Sequence, residues 1–344
     1  MERVGILTGG GDCPGLNAVI RAVVVKASQN RIKVIGIKNG WKGLVKADTV
    51  ELGVDSVAEI VSKGGTILGT SRTNPYKKPE DVKAVIDNYR AFKLDALIAV
   101  GGEDTLGVAN KLNKEDKGLK VVGCPKTIDN DLNATDYTFG FDTAVNIAVE
   151  AIDRLRTTAE SHHRAMVVEV MGRHAGWLAL HSGIASGANI VLIPEFPVDL
   201  EEVSAVLKKR KAEGHEYSIV VAAEGAQIMA GQTVLKEKEL DSFGHVRLGG
   251  IGETLAGEIE KRTGIETRTT VLGHIQRGGS PSAYDRFLGT RFGLTAMDLV
   301  LAGKFGYMAS LRGTDVIGVP IQEAVGTLKT VDAKLYDLAK IFFG

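Results

Sequence analysis

A glycine pair followed by two carboxylates interrupts an apolar stretch of the sequence at residues 101–106, which read GGEDTL. The apolar run LDALIAV precedes this turn, and the helical pattern GVANKL follows it. Small residues between a buried strand and a helix let backbone N–H groups approach an anion, so the turn is suited to a phosphate. Glu103 suits Mg²⁺ at such a site, whereas Glu103 and Asp104 together equally suit the first turn of a helix.

A second polar group, PKTIDNDL at residues 125–132, follows the next apolar run. It places a cation, a hydroxyl and a carboxylate close together, at Lys126, Thr127 and Asp129. Phosphoryl transfer needs such groups, because charge must be neutralised and the attacking hydroxyl must lose a proton. An ordinary polar loop has the same composition, so the residues alone leave both interpretations open.

Other candidate residues lie in glycine-containing loops. The loop GGGDCPG at residues 9–15 matches neither the dinucleotide fingerprint nor the Walker pattern, so it is either a tight turn or another kind of phosphate loop. Downstream, EVMGRHAGW carries Arg173, and ETRTTVLGHIQRGG carries Arg268, His274 and Arg277. Guanidinium groups match phosphate oxygens in a bidentate way, so these residues predict a sugar-phosphate pocket.

The elements that must position these residues follow from the apolar pattern. Continuous apolar runs such as RVGILT, LDALIAV and YSIVVAAEG alternate with amphipathic stretches such as LNAVIRAVVVKAS. This alternation predicts an α/β fold with doubly wound, mainly parallel sheets, in which ligands bind beyond the carboxyl ends of the strands. A long helix near Gly140 and a new series of strands from Arg164 predict a domain boundary near residue 140. The polar stretch 235–250 predicts a surface excursion.

Composition excludes several classes of protein. The 344 residues include 42 Lys and Arg and 42 Asp and Glu, and this balance argues against a nucleic-acid-binding or membrane-surface protein. No stretch approaches the roughly 18 apolar residues of a membrane helix. Two cysteines, Cys13 and Cys124, are too few for a disulfide framework and predict a reducing cytoplasm. The spacing of four histidines fits no zinc site: His162, His163, His174 and His181.

Taken together, the motifs resemble those of the phosphofructokinase family, in the family's order and over nearly the whole chain. The motifs are GGGDCPGLNAVIR, GTSR, GGEDT, PKTIDND, SHHRAMVVEVMGRHAGW, AAEG and TVLGHIQRGGSPSAYDR. The resemblance implies two Rossmann-like domains with the active site in the cleft between them. The phosphoryl-donor domain would comprise residues 1–140 plus about 276–315, and the fructose 6-phosphate domain residues 141–275 plus about 316–344. It also implies Mg²⁺ as a cofactor and a homodimer or homotetramer with shared active sites.

The same resemblance assigns roles to individual residues. Asp129 is the base that accepts the proton of the sugar's 1-hydroxyl, and Arg164 and Arg268 resemble a pair that a neighbouring subunit supplies. The remaining sugar-phosphate site comprises Thr127, Ile128, Met171, Gly172, Arg173, Glu224, His274, Ile275, Gln276 and Arg277. The donor site comprises Gly10, Gly11, Arg72, Asp104, Thr105 and Lys126, with Glu103 as the metal ligand. Catalysis is assigned to Asp129, Lys126, Arg72 and Asp104.

The donor follows from departures from the family's ATP-using members, which carry GGDG before Ser or Thr and PGTIDND. Here Glu103 replaces an aspartate, whereas Asp104 and Lys126 replace glycines. A carboxylate about 4 Å from a phosphate charge costs about 4 kcal/mol at an effective dielectric constant of about 20, or roughly a thousandfold in affinity. Asp104 would therefore oppose the α-phosphate of ATP, and Lys126 would neutralise a smaller donor. We predict reversible phosphoryl transfer from pyrophosphate to fructose 6-phosphate, in glycolysis and gluconeogenesis.

Three alternatives are open. An ATP-dependent 6-phosphofructokinase would be revealed by activity with ATP alone. A lipid or NAD kinase shares a loop similar to residues 101–105, but it would not need the fructose-phosphate set at 164–173 and 268–277. A non-catalytic regulatory subunit should lack the base, whereas Asp129 is present.

Overall fold

The computed structural model describes residues 1–115, 119–231 and 250–344, which contain eleven strands and eleven α-helices. The strands are β1 (Arg3–Thr8), β2 (Lys33–Ile37), β3 (Thr49–Leu52), β4 (Ala96–Gly101), β5 (Val121–Pro125), β6 (Ala165–Val170), β7 (Ile190–Leu192), β8 (Ser218–Ala223), β9 (Thr267–Val271), β10 (Tyr307–Arg312) and β11 (Asp315–Pro320). The helices are α1 (Leu16–Gln29), α2 (Trp41–Lys46), α3 (Pro79–Ala91), α4 (Glu103–Lys114), α5 (Phe141–His162), α6 (Trp177–Ala185), α7 (Leu200–Ala212), α8 (Ile251–Thr263), α9 (Ala283–Leu301), α10 (Ile321–Ala324) and α11 (Ala333–Lys340).

The chain divides into two compact units. Unit 1 contains Met1–Ile128, Leu132–Thr143 and Arg277–Leu328, and unit 2 contains Asp129–Asp131, Ala144–Gln276 and Lys329–Gly344. Residues 316–328 therefore lie in unit 1, whereas the sequence-based expectation assigned them to the second domain. The reason is the antiparallel pairing of β11 with β10, which keeps this segment in the unit 1 sheet.

Unit 1 is built on a seven-stranded sheet in the order β11-β10-β5-β4-β1-β2-β3. Its strands are parallel, except that β2–β3 and β10–β11 pair antiparallel. The strand β1 has β2 on one side and β4 on the other, so the direction of winding reverses between β1 and β4. This reversal is a topological switch point, where open α/β sheets bind ligands, and the loops 9–15 and 101–105 leave the sheet there.

Unit 2 is built on a four-stranded parallel sheet in the order β7-β8-β6-β9. The central strands β6 and β8 are buried along their whole length, and β9 is a partly exposed edge strand. Apolar side chains from α7 and α8, among them Leu207 and Leu255, cover one face. The predicted α/β class with mainly parallel sheets is therefore confirmed for both units.

Three further expectations concern other features of the chain. All but the last residue of the predicted excursion at 235–250 lies outside the described residues. Within the ranges that the structure describes, no helix combines the length and apolar character needed to cross a bilayer. Cys13 and Cys124 are both buried, unbonded thiols.

Candidate functional site

The carboxyl ends of three neighbouring strands bring the glycine loops of unit 1 together. The backbone N–H of Gly9 donates to the carbonyl of Val100 (2.9 Å), and that of Lys126 donates to the carbonyl of Gly101 (3.0 Å). A Cβ atom placed on Gly9 would lie 2.5 Å from the hydroxyl of the buried Thr105, so only glycine allows this approach. The loops that follow β1, β4 and β5 therefore form one continuous layer at the carboxyl ends of these strands.

Lys126 lies within this layer. It is only 4% exposed, and its ammonium group donates to the carbonyl of Gly11 at 2.6 Å. A Cβ atom on Gly10, which has a φ of 83°, would lie 3.2 Å from the same ammonium group. Lys126 thus places a positive charge inside the glycine loop.

Arg277 and the segment that carries Arg72 both contact the same loop. The Gly10 amide donates to the carbonyl of Ser71 at 3.0 Å, which places the segment carrying Arg72 against the loop. The Arg277 guanidinium donates to the carbonyl of Asp12 at 3.3 Å, and a Cβ atom on Gly11 would lie 2.6 Å from it. Arg277 was expected among the sugar-phosphate residues with His274, but in this structure its guanidinium lies beside the glycine loop. The physical reason is that the chain re-enters unit 1 at Arg277.

Glu103 and Asp104 form the first turn of α4 and are both exposed. One carboxylate oxygen of Glu103 accepts a hydrogen bond from the Gly326 amide at 3.1 Å. In the part of the chain that the structure describes, no cluster of three or more His, Cys, Asp or Glu residues could hold a metal ion. Mg²⁺ at phosphate sites takes one or two carboxylates and fills its other positions with water and phosphate oxygens. Two exposed carboxylates beside a glycine loop fit that requirement.

Cys13, in the same loop, is a buried free thiol. Complete burial raises the pKa of its thiol to about 12, although Lys126 counteracts this and Asp285 adds to it. Because the thiolate is the reactive form, burial of this thiol disfavours its reaction. Burial also raises the pKa of Cys124.

In unit 2, the carboxyl ends of β6 and β8 bring a second set of predicted residues together. Met171, Gly172 and Arg173 follow β6, and Glu224 follows β8. The Glu224 amide donates to the carbonyl of Val170 at 2.8 Å, and the Gly225 amide donates to that of Gly172 at 3.0 Å. Gly172 has a φ of 134°, and a Cβ atom there would lie 2.8 Å from the carbonyl oxygen of Ala175, so this turn requires glycine.

The loop that follows β9 lies against this set. Gln276 is fully buried, accepts a hydrogen bond from the Met171 amide at 3.4 Å and donates to the carbonyl of Gly273 at 3.0 Å. Its side chain therefore holds the loop, and its predicted contact with the sugar phosphate stays a prediction. Ile128 is also fully buried, in unit 1, so only its backbone is available, whereas Ile275 is 60% exposed. His274 is exposed.

Arg164 and Arg268 lie near the amino ends of the unit 2 strands, opposite the carboxyl ends that carry Met171 and Glu224. Arg164 immediately precedes β6 and Arg268 is the second residue of β9, whereas Met171 follows the other end of β6. Both guanidinium groups contact Glu266, at 2.9 Å and 2.5 Å, and the Arg164 hydrogen bond holds the pKa of that carboxyl below its usual value. A strand rises about 3.3 Å per residue, so the length of β6 separates the two ends by about 20 Å. Arg268 and His274 therefore lie near opposite ends of β9.

Sequence reasoning assigned no role to several residues that act through conformation or burial. Asn130 is buried with a φ of 51°, a left-handed conformation that asparagine tolerates better than most residues, and it sets the turn beside Asp129. Glu169 is a buried carboxylate whose pKa is raised by burial, and it accepts a hydrogen bond from the Gly252 amide at 2.8 Å. Asp285 is another buried carboxylate. An acid within an apolar strand, as in VVEVM, was the available signal for Glu169.

Comparison with known proteins decides the family. Residues 3–300 match the model of the family described as phosphofructokinase. The chain belongs to the phosphofructokinase family. It is 60% identical over 343 residues to the pyrophosphate--fructose 6-phosphate 1-phosphotransferase of Streptomyces coelicolor, covering 99% of this chain and 100% of that protein. It is 52% identical over 335 residues to ATP-dependent 6-phosphofructokinase 3 of the same organism, covering 97% and 98%.

The fold is also found in a solved structure. The crystal structure of a pyrophosphate-dependent phosphofructokinase from Nitrosospira multiformis matches with a TM-score of 0.84 at 20% identity, covering 100% of this chain and 91% of that chain. At this identity the match concerns the fold alone. The prediction that this protein is an enzyme of the phosphofructokinase family is confirmed, and relatives with both kinds of donor match it closely.

Proposed function

We propose that this enzyme transfers a phosphoryl group from pyrophosphate to the 1-hydroxyl of fructose 6-phosphate, giving fructose 1,6-bisphosphate and phosphate. The observation that carries the proposal is the position of Lys126, whose ammonium group lies inside the glycine loop, 2.6 Å from the Gly11 carbonyl. A buried cation supports binding of a compact, highly charged anion, because attraction between charges is stronger where water is excluded. The names of the pyrophosphate-dependent relatives agree with this proposal.

The donor half of the reaction is assigned to unit 1. Lys126, Arg72 and the backbone amide of Gly11 bind the two phosphates. The Gly10 amide holds the loop against the Ser71 carbonyl, and the Thr105 hydroxyl lies next to Gly9. These groups act on charge that shifts from the transferred phosphoryl group to the leaving phosphate as the bridging P–O bond breaks. Mg²⁺, held by Glu103, would neutralise phosphoryl oxygens when it is bound.

The acceptor half is assigned to Asp129 and to the residues at the carboxyl ends of β6 and β8. Asp129 accepts the proton of the sugar's 1-hydroxyl, whose oxygen forms the new P–O bond, and Thr127 steadies that end. Arg173, Glu224 and the Met171–Gly172 turn bind the sugar, and His274 and Arg277 bind the 6-phosphate. The proton of the 1-hydroxyl thus moves to the Asp129 carboxylate, and phosphate is the leaving group.

An ATP-dependent reaction is the second candidate, and one observation favours it. The Asp104 side chain is exposed at the start of α4, so it is able to turn toward solvent and away from a nucleotide. The deciding assay supplies fructose 6-phosphate and Mg²⁺ with either pyrophosphate or ATP as the sole donor. We expect activity with pyrophosphate, and activity with ATP alone would contradict the proposed donor.

The proposal includes an assembly of two or four identical subunits. It also includes a reducing cytoplasm, which the two buried thiols support. Arg164 and Arg268 support a shared site, because they lie about 20 Å from Met171 along the same sheet and form one pair through Glu266. A neighbouring subunit's Arg pair would then complete each sugar-phosphate site.

This arrangement predicts the behaviour of mixed subunits. Arg164→Ala and Asp129→Asn enzymes should each be nearly inactive, because each lacks a group of every active site. Hybrids of the two should recover part of the activity, since some sites then receive both an intact base and an intact arginine. The measurement is specific activity of hybrids whose mixed composition has been verified by tagged purification. Inactive hybrids would place the arginines in their own subunit's site.

A further inference from the structure

The helices α5 and α9 begin beside each other in unit 1 and are joined through their first turns. The Asp285 carboxylate, fully buried, accepts hydrogen bonds from the Thr143 amide at 2.8 Å and the Thr143 hydroxyl at 2.5 Å. The Ser282 hydroxyl donates to Asp142 at 2.6 Å and accepts from the Asp285 amide at 3.2 Å. We call these four residues, Asp142, Thr143, Ser282 and Asp285, the α5–α9 clasp.

The segment that enters α5 runs along the proposed donor and acceptor residues. The Thr138 hydroxyl donates to the carbonyl of Thr127 at 2.7 Å, and Phe139 forms a parallel bridge with Lys126. Phe139 is fully buried, so the segment has little freedom to shift without moving its neighbours. The position of Lys126 is therefore coupled to the position at which α5 begins.

The same segment also packs against the glycine loop. The Cys13 thiol donates to the carbonyl of Phe139 at 3.7 Å, and a Cβ atom on Gly140 would lie 2.8 Å from the Cys13 sulfur. A Cβ atom on Gly15 would lie 2.9 Å from the Phe139 ring and 3.3 Å from the Asp285 carbonyl oxygen. Contacts this close transmit a displacement of α5 directly to the loop that follows β1.

From these contacts we infer that Asp285 is a positioning residue for the phosphoryl donor. Its carboxylate fixes the amino end of α5 and thereby the preceding segment Thr138–Gly140. That segment contacts Lys126, Thr127 and the loop that carries Cys13. This inference rests on the proposed function only in taking Lys126 as a donor-binding group. Asp285 itself touches no proposed ligand.

The electrostatic surroundings of Asp285 make its role separable from simple packing. Burial raises the pKa of Asp285 to about 6, although the Thr143 hydroxyl and amide and the Gly140 amide counteract burial; the Asp142 carboxylate adds to the increase. Among the described residues, Cys13 and Tyr284 are further titratable groups that interact with Asp285, and burial raises the pKa of both.

The raised pKa has a definite sign for stability. Between the unfolded value near 4 and the folded value of about 6, the native state binds more protons than the unfolded state. The contribution of Asp285 to stability is therefore fully present below the unfolded pKa and is lost as the pH rises through about 6. At neutral pH the ionised carboxylate lowers folding stability while it accepts the hydrogen bonds of Thr143.

The test compares Asp285→Asn and Asp285→Ala with the parent enzyme. We expect Asp285→Ala to lower kcat/KM for the donor by about 10²-fold, the scale of a misplacement of about 1 Å, with a change of only a few-fold in the KM for fructose 6-phosphate. Asp285→Asn should recover part of the loss, because its amide oxygen still accepts the Thr143 N–H. The acid limb of the parent's donor kcat/KM, near pH 6, should flatten in Asp285→Asn.

Thermal unfolding provides a readout that does not depend on any substrate. The Tm of Asp285→Asn minus that of the parent should become more positive as the pH rises from 4 to 7, because only the parent loses the contribution of Asp285. Asp298→Asn is the matched control, since Asp298 lies on the same helix, is 56% exposed and pairs with Lys26. We expect the control to match the parent in both measurements.

The outcomes separate the two proposals. If the parent prefers ATP, the pyrophosphate proposal fails, and the same comparison made with ATP still tests Asp285. If Asp285→Ala does not fold, Asp285→Asn and Thr143→Val carry the test, because the second removes one donor to the carboxylate and leaves the charge. Asp285→Asn with the parent's donor KM and acid limb would overturn the inference, as would an equal loss for both substrates.

Discussion

Asp129→Asn should lower turnover by about 10²–10⁴-fold and leave the affinity for fructose 6-phosphate near that of the parent, because a positioned base contributes about this much to a proton transfer. The amide keeps the size of the side chain and its ability to accept a hydrogen bond, but it cannot accept the hydroxyl proton. The loss should therefore appear in kcat and kcat/KM together, as expected for an interaction made in the transition state.

Two backbone features hold the turn that carries Asp129. Asn130, next in the chain, already has a left-handed backbone, and the Asp131 carbonyl accepts a hydrogen bond from the Lys329 amide at 2.8 Å. These backbone features do not involve the substituted carboxylate, so the turn should persist. Sugar-phosphate binding is measured by calorimetry alongside steady-state rates, and Asp153→Asn, exposed on α5, serves as the control. Turnover within a few-fold of the parent would show that Asp129 is not the base.

Lys126→Gly should reduce turnover with pyrophosphate by about 10²–10³-fold, the cost of removing one preorganised electrostatic group from an active site, with a smaller loss of affinity. Pyrophosphate carries no nucleoside, so its binding relies on Mg²⁺ and on cations such as Lys126 and Arg72. The Lys126 ammonium lies inside the glycine loop, where protein groups take the place of water around it. Lys126→Met, which preserves the volume, separates loss of charge from loss of packing and should be impaired similarly.

The double variant Lys126→Gly with Asp104→Gly should gain measurable activity with ATP while losing activity with pyrophosphate. Removing Asp104 removes a negative charge that opposes a nucleotide phosphate approaching the start of α4, and removing Lys126 makes room at the end of β5. The parent should also run in reverse, from fructose 1,6-bisphosphate and phosphate, at a comparable rate, because the two phosphoryl bonds are closer in energy than with ATP. Steady-state assays in both directions decide the matter. A parent that prefers ATP, or that shows no reverse reaction, would contradict pyrophosphate as the donor.

Local patterns in the sequence were sufficient for the class of fold and for the loops of the candidate site. Continuous apolar runs mark strands buried on both faces, and the runs RVGILT and LDALIAV appear in the structure as the adjacent strands β1 and β4. Because loops at the carboxyl ends of such strands share one edge of the sheet, the grouping of Gly10, Thr105 and Lys126 follows from the order of elements. The family, too, could be recognised from short ordered motifs.

Only the tertiary structure decided which distant residues share a location. Arg277 lies beside Gly11, 266 positions away in the chain, and Gln276, its neighbour in sequence, is buried under Met171 instead. Arg268 and His274 lie at opposite ends of β9, although the sequence suggested one pocket. Residues 316–328 stay in unit 1 because β11 pairs with β10. In the sequence, Asp285 is indistinguishable from an ordinary polar residue in the first turn of a helix. Its burial against Thr143 depends on packing between two helices. Contacts of this kind join segments far apart in the chain, so the local periodicity of the sequence does not predict them.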